Sequence, residues 1–148
     1  MLKGISPYLS PDLLKTLHEM GHGDELMLAD AHFPGHTLGQ RVLRADGLTV
    51  MQMLDAIMPL FELDWLERPL IMMQTTSSTS VDPMVEADYL SVIRQHALEA
   101  QPPVRLERQA FYDRAKQSYA VVITGELRPY GNLILRKGVM PINSGVSS

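Results

Sequence analysis

Met20-Gly-His-Gly-Asp-Glu-Leu-Met-Leu-Ala-Asp30 is the stretch on which the reading of this chain turns. Gly21 is a natural helix stop, because glycine takes the left-handed conformation after a last turn without steric cost. His22 and Gly23 prolong the turn, and residues 25–29 (ELMLA) are then an apolar run of strand length that ends on Asp30. In open α/β sheets ligands gather beyond the carboxyl ends of the strands, which is where Asp30 should lie. His22 belongs to the other end of the same strand. A site that joins the two needs a loop or a neighbouring subunit to bring them together.

Upstream, Ser10-Pro11-Asp12 reads as a helix start: a capping hydroxyl, a proline at the first helical position and an acid that suits the helix dipole. Leu13, Leu14, Leu17 and Met20 follow as one apolar face. Downstream, residues 31–39 (AHFPGHTLG) read as a loop, 41–45 as a second strand, and 49–60 as a helix with Val50, Met53, Leu54, Ile57 and Met58 at helical spacing. Strand 70–74 opens into the polar loop TTSSTS, and Asp82-Pro83 starts a helix with Val85, Tyr89, Val92, Ile93 and His96 along one side. Pro102-Pro103 ends that unit. Strand 104–107, helix 110–118, the buried strand 120–124 (AVVIT) and a last strand 133–137 (LILRK) complete the chain. Strands interleaved with helices predict a three-layer α/β/α architecture, with a largely parallel or mixed sheet covered on both faces. One domain is expected over 1–140, with 141–148 a frayed, flexible tail.

The 148 residues include 13 Lys+Arg and 17 Asp+Glu, for a net charge of −4, and 45% are hydrophobic. That is one domain's worth of chain, with enough apolar material to fold without a disulfide or structural metal. No cysteine is present, which excludes disulfide frameworks, thiolate zinc sites, iron–sulfur clusters and thiol nucleophiles. Any catalysis must come from His, carboxylates, Tyr, Lys, Arg or hydroxyls. The mild acidity and scattered cations argue against a nucleic-acid partner, and 6% aromatic residues leave few stacking platforms. Ser6, Pro7, Ser10, Pro11 and Asp12 interrupt the opening residues as no secretory signal does, and no apolar run approaches the roughly 20 residues of a membrane span. The expected address is the cytoplasm.

Several constellations could carry chemistry. His18-Glu19-Met20-Gly21-His22 satisfies the letters H-E-x-x-H of zinc proteases, which would make the protein a zinc hydrolase. That motif needs unbroken helix through both His, and Gly21 ends the helix before His22; Glu25 and Leu28 also stand where the extended motif has its Gly and third His. His32 and His36 flank Phe33-Pro34-Gly35, which denies them the helix that i, i+4 ligation uses, so no metal site is expected. His22 reads either as a surface or capping residue or as a proton donor and acceptor held between glycines. Arg108, after an apparent strand, is either a solvated cation or a clamp for a hydroxyl or carboxylate. Tyr130-Gly131-Asn132 is either an ordinary turn or a loop that aims a phenol, a backbone N–H and an amide at one polyhydroxylated ligand.

Met20-Gly-His-Gly-Asp-Glu25, Ala29-Asp-Ala-His-Phe-Pro34, Arg44-Ala-Asp-Gly47, Arg108 with Ala110-Phe-Tyr112, Ile123-Thr-Gly-Glu126 and Tyr130-Gly-Asn132 together resemble the fucose mutarotase and ribose pyranase family. Order and spacing match from Leu2 to about Val139, and the Gly-His-Gly-Asp-Glu and His-Phe-Pro forms are similar to the fucose branch. The resemblance implies a cytoplasmic, cofactor-independent enzyme that interconverts the α and β anomers of a monosaccharide, with L-fucose the leading candidate. It also implies an α/β/α sheet fold and ring-shaped, decamer-like homo-oligomers. It puts the general acid/base on His22 and substrate binding on Asp30, Arg108, Tyr130, Gly131 and Asn132. His32 and His36 inherit no role.

The alternative from another class is a monosaccharide-binding or transport-accessory protein that uses the same pocket, with His22 only a hydrogen-bond donor. Phe33, Leu38, Trp65 and Leu66 fall in segments read as loops or helix ends. They either fill the core or face a partner subunit.

Overall fold

Side chains alternate across a strand, so a run that is apolar at every position can be satisfied only when both faces of its sheet are covered. The computed structural model, which describes residues 1–76 and 82–142, shows this arrangement. Strand β1 (Glu25–Ala29) is buried at every position, as is β5 (Ala120–Thr124). With β2 (Val42–Ala45), β3 (Leu70–Met73), β4 (Val104–Leu106) and β6 (Leu133–Arg136) they make one six-stranded sheet in the order β2-β5-β1-β6-β3-β4. β1 pairs parallel with β5, β5 with β2, and β3 with β4, whereas β6 runs antiparallel between β1 and β3. The sheet is therefore mixed, as one of the two expected forms.

Leu26 and Leu28 of β1 point into a core under α1 (Pro11–Glu19), α3 (Val50–Ile57) and α4 (Val85–Arg94). Met27 and Ala29 point the other way, into a second core formed with Phe33, Phe111 and Ala115 beneath α2 (Gly35–Leu38) and α5 (Arg108–Gln117). This is the three-layer α/β/α arrangement. Phe33 is buried and Leu38 packs against that second core, so these two fill the interior, while Trp65 and Leu66 remain 70% and 61% exposed.

Local chemistry explains the boundaries. The Ser10 hydroxyl accepts the Leu13 N–H and Pro11 opens α1, as read from the sequence. Thr49 and Gln52 form a reciprocal capping box at the start of α3. Four departures are instructive. α1 ends at Glu19 with Met20 already extended, so the helix stops before Gly21 is reached. Pro34 ends the loop after β1 early and lets α2 form one short turn. Glu107 accepts the N–H groups of Gln109 and Ala110, which starts α5 at Arg108 rather than at Ala110. α4 closes at Arg94, leaving His96 beyond it. Most of the polar loop TTSSTS and of the expected tail fall on residues 77–81 and 143–148, outside the described residues.

Candidate active site

Because β6 is reversed, its first residue lies at the edge where β1, β5 and β3 end, with Leu28 opposite Leu133. That edge gathers the loops after β1 and β5 and the start of α5. Asp30, one residue past β1, is only 6% exposed. Its carboxylate accepts the His32 N–H at 3.0 Å, and its own N–H donates to Oδ1 of Asn132 at 2.8 Å. Burial pushes the Asp30 carboxyl above the ordinary aspartate value, against the N–H groups of His32, Phe33 and Gly131 that favour its anion.

The β5–β6 loop is tied to the same point. The Thr124 hydroxyl donates to the Ala29 carbonyl at 2.7 Å, the Glu126 N–H to Thr124 Oγ1 at 3.1 Å, and the Ala31 N–H to the Glu126 carbonyl at 2.8 Å. Within that loop Tyr130 has φ 59°, alone among the described non-glycine residues in the left-handed region. The Tyr89 hydroxyl, buried under the loop, donates to the Gly131 carbonyl at 2.8 Å. A side chain at 131 would come within 2.9 Å of both the Tyr89 hydroxyl and the Arg128 carbonyl, so glycine is required there for close approach.

Between these loops lies an open cavity of about 290 Å³. Asp30 and Asn132 form its polar floor, and Tyr130 and His32 line it beside them. Phe33, Met73 and Tyr112 give it an apolar wall, with Phe33 and Tyr112 packed edge to face at 5.5 Å. Arg108, exposed at the first turn of α5, stands at the mouth 5.4 Å from the Tyr112 ring centre. Gly131 is not among the lining residues; its side is turned to Tyr89, and its N–H toward Asp30. A carboxylate and an amide facing an aromatic wall suit a small ring with hydroxyls on its edge and C–H bonds on its face.

His22 is elsewhere. Its ring lies beyond the opposite end of β1, past the length of that strand, roughly 17 Å, with 42% of its side chain exposed and Nε2 3.4 Å from Oδ1 of Asp64. The structure thus brings Asp30, Arg108, Tyr130 and Asn132 together around one cavity and leaves His22 at the other edge of the same chain. His36, on α2, does not line the cavity, and Tyr119 donates to Glu19 at 3.2 Å on the His22 side. Residues 18–22 are not one helix, so His18 and His22 do not share a face, and among the described residues no three His or carboxylate groups converge as a metal would need.

Sequence reading missed Asp64. A single acid between Leu63 and Trp65 carries no motif, and only the fold shows that its side chain is 1% exposed and faces His22. It also missed the Met73 wall, which reads as ordinary core.

The fold is a mixed-sheet α/β/α domain, with a cavity at the carboxyl edge of its parallel strands whose size and lining suit a single polar ring. Residues 3–140 match the RbsD / FucU transport protein family. The chain is 57% identical to the L-fucose mutarotase of Histophilus somni (strain 2336), across 96% of this chain and 99% of that protein. It is 59% identical to the L-fucose mutarotase of Glaesserella parasuis serovar 5, across 96% and 98%. Among solved structures, the fucose mutarotase from Streptococcus pneumoniae in complex with L-fucose superposes with a TM-score of 0.89 at 40% identity, covering 95% of this chain and all (100%) of that one. Bacillus subtilis RbsD complexed with D-ribose shares the fold, with a TM-score of 0.70 at 24% identity over 95% of this chain and 100% of that one. The chain belongs to the RbsD / FucU family, and its L-fucose mutarotase relatives match it over nearly its whole length.

Proposed function

We propose that this protein is an L-fucose mutarotase that interconverts the α and β anomers of the sugar without a cofactor. The observation that carries this reading is the likeness to L-fucose mutarotases at 55–59% identity over 96% of the chain. The carboxylate–amide floor and aromatic wall of the cavity support it. Asp30, Arg108 and Asn132 bind hydroxyls, Tyr130 and the Phe33–Tyr112 wall cover the apolar face of the ring, and Gly131 holds the loop and its N–H in place.

Mutarotation opens and recloses a hemiacetal. A proton leaves the anomeric hydroxyl, the bond from the anomeric carbon to the ring oxygen breaks, and that oxygen takes up a proton. The aldehyde then turns its other face and the steps reverse. His22 is the general acid and base, since an imidazole both gives and takes a proton near neutral pH. Acid–base catalysis of this kind supplies roughly 10²–10⁴-fold, about 3–5 kcal/mol.

His22 cannot reach the cavity of its own chain, so the working site combines His22 of one copy with the cavity of the next. A contact between opposite edges of two copies is heterologous, and such contacts close into a ring when the rotation from copy to copy closes. Exposed Trp65 and Leu66, next to Asp64 on the His22 edge, supply apolar surface for it. The reading therefore includes a ring-shaped homo-oligomer, decamer-like in size, that acts on free monosaccharide in the cytoplasm. This reading calls for neither a nucleic acid nor a membrane. Among the described residues no helix is long and apolar enough to cross a membrane. Saturation-transfer NMR on L-fucose tests the activity: protein at low micromolar concentration should carry magnetisation between the α and β signals. Binding of the sugar without exchange would instead mark a non-catalytic sugar-binding protein.

A further inference from the structure

The loop that carries Tyr130, Gly131 and Asn132 is held from the far side of the sheet. Tyr89, in the middle of α4, is buried in the core under α1, α3 and α4, whereas Tyr130 packs on the opposite core with Phe33 and Tyr112. The Tyr89 hydroxyl reaches the sheet edge, where it donates to the Gly131 carbonyl at 2.8 Å and lies 3.4 Å from Oε1 of Glu126. Burial, together with the Glu126 carboxylate, pushes this phenol far above its ordinary value, so it stays a donor. Tyr89 does not line the cavity.

Residue 131 is thus gripped by both of its backbone groups: the N–H faces Asp30 and the carbonyl accepts Tyr89. That carbonyl shares a planar peptide with the N–H of Asn132, so fixing one sets the direction in which the Asn132 side chain departs. The Asn132 side chain accepts the Asp30 N–H at 2.8 Å and lines the cavity beside it. On the preceding side stands Tyr130 at φ 59°, a conformation that a non-glycine residue keeps only where its surroundings impose it. A second tie lies nearer the surface. Arg128 Nη1–H donates to Asp88 of α4 at 2.8 Å, and its Nε–H to Oε2 of Glu126 at 3.2 Å. Helix α4 therefore holds the loop at two points that flank Tyr130, and neither point touches the cavity. A tether of this kind acts on a ligand by ordering the loop on folding rather than on binding.

We propose that Tyr89, seconded by Arg128, is a positioning residue for sugar binding: it fixes the peptide between Gly131 and Asn132 so that the Asn132 amide meets the sugar's hydroxyls already in place. The inference rests on the reading of the cavity as the sugar site, and the test keeps the two apart.

Tyr89→Phe removes one hydroxyl and leaves the ring in the core. Calorimetric titration of the assembled protein with L-fucose should show Kd raised at least about fivefold, and anomer exchange should show KM raised to match with kcat within about twofold. A tyrosine that only fills the core would leave Kd where it was. In an Asn132→Ala background the same substitution should weaken binding by less than about twofold, because a residue that acts through Asn132 has little left to position. Unchanged Kd in folded Tyr89→Phe, or an equal loss with and without Asn132, would overturn the proposal. Should Tyr89→Phe not fold, Arg128→Gln decides, since it breaks the outer tie: Kd raised about twofold or more supports the clamp, and unchanged Kd overturns it. If the unmodified protein did not bind L-fucose, or Asn132→Ala bound it undiminished, the reading of the cavity would fall and this inference with it. Binding impaired in Asn132→Ala but not in Tyr89→Phe would remove only the role of Tyr89.

Discussion

The two ends of the sheet each bury one aspartate, and the two are treated in opposite ways. Asp30 is 6% exposed and Asp64 4%, yet burial raises the first above the ordinary aspartate value, while the second lies below it. At the cavity end Asp30 has backbone N–H groups and an apolar wall for company. At the other end Asp64 has the Arg136 guanidinium at 2.8 Å as well as a backbone N–H and His22. Burial alone does not set a carboxylate's state; the partner set does. An aspartate without a paired cation keeps hydrogen-bonding capacity for a ligand's hydroxyls, which suits binding. One locked to an arginine is an anion first, which suits holding a histidine.

The largest effect that separates the ends is expected from His22→Ala. It should leave the fold intact and slow anomer exchange by roughly 10²-fold or more, the scale of one acid–base group. Saturation transfer reads this directly, and near wild-type exchange in the folded variant would remove the histidine from the chemistry.

At the cavity end the effect should be smaller and of another kind. Asp30→Asn and Arg108→Ala should each raise KM by about tenfold or more, the worth of a hydrogen bond to a charged group, with kcat reduced less, since both hold ground and transition state alike. Loss of turnover at unchanged affinity in Asp30→Asn would make Asp30 the proton-transfer group and reverse the assignment of the two ends.

The smallest effect is the sharpest comparison. A carboxyl lowered by folding contributes stability above its unfolded value, near 3.9, that is lost as pH falls through its folded one; a raised carboxyl does the opposite. Asp64→Asn should therefore lose most against wild type at neutral pH, with the gap narrowing on acidification. For Asp30→Asn, the balance should move in the variant's favour as pH rises from about 4 toward 7. Denaturant midpoints at several pH values measure both trends, and trends of the same sign would show that the two aspartates do not differ as described.

How much of this was legible in the sequence follows from which interactions are local. Caps, turns and strand-length apolar runs depend on neighbours a few residues away, so β1, β5 and the start of α1 are written in ELMLA, AVVIT and Ser10-Pro11. That Asp30 ends a strand and His22 precedes it was equally local, which is why their separation could be anticipated. The antiparallel placement of β6 was not, because nothing in LILR states which way it runs between β1 and β3. Asp64 was invisible for the same reason: its meaning comes from Arg136, 72 residues away, and His22, 42 residues away. Phe33 and Trp65 show the limit from the other side, since two apolar residues in apparent loops ended one in the core and one on the surface.

In the proposed mechanism one chain holds the sugar and another supplies the proton. Two defective chains test it directly: His22→Ala, which keeps the cavity, and an Asp30→Asn/Arg108→Ala chain, which keeps His22. Each is weakly active alone. Dissociated together in equal amounts and reassembled, they should regain anomer exchange at roughly a quarter of the sites, those where an intact cavity meets an intact histidine from its neighbour. Recovery to that level in the mixed oligomer is the expected result; mixed oligomers no more active than the two parents, or a monomer with full activity, would contradict a site shared between copies.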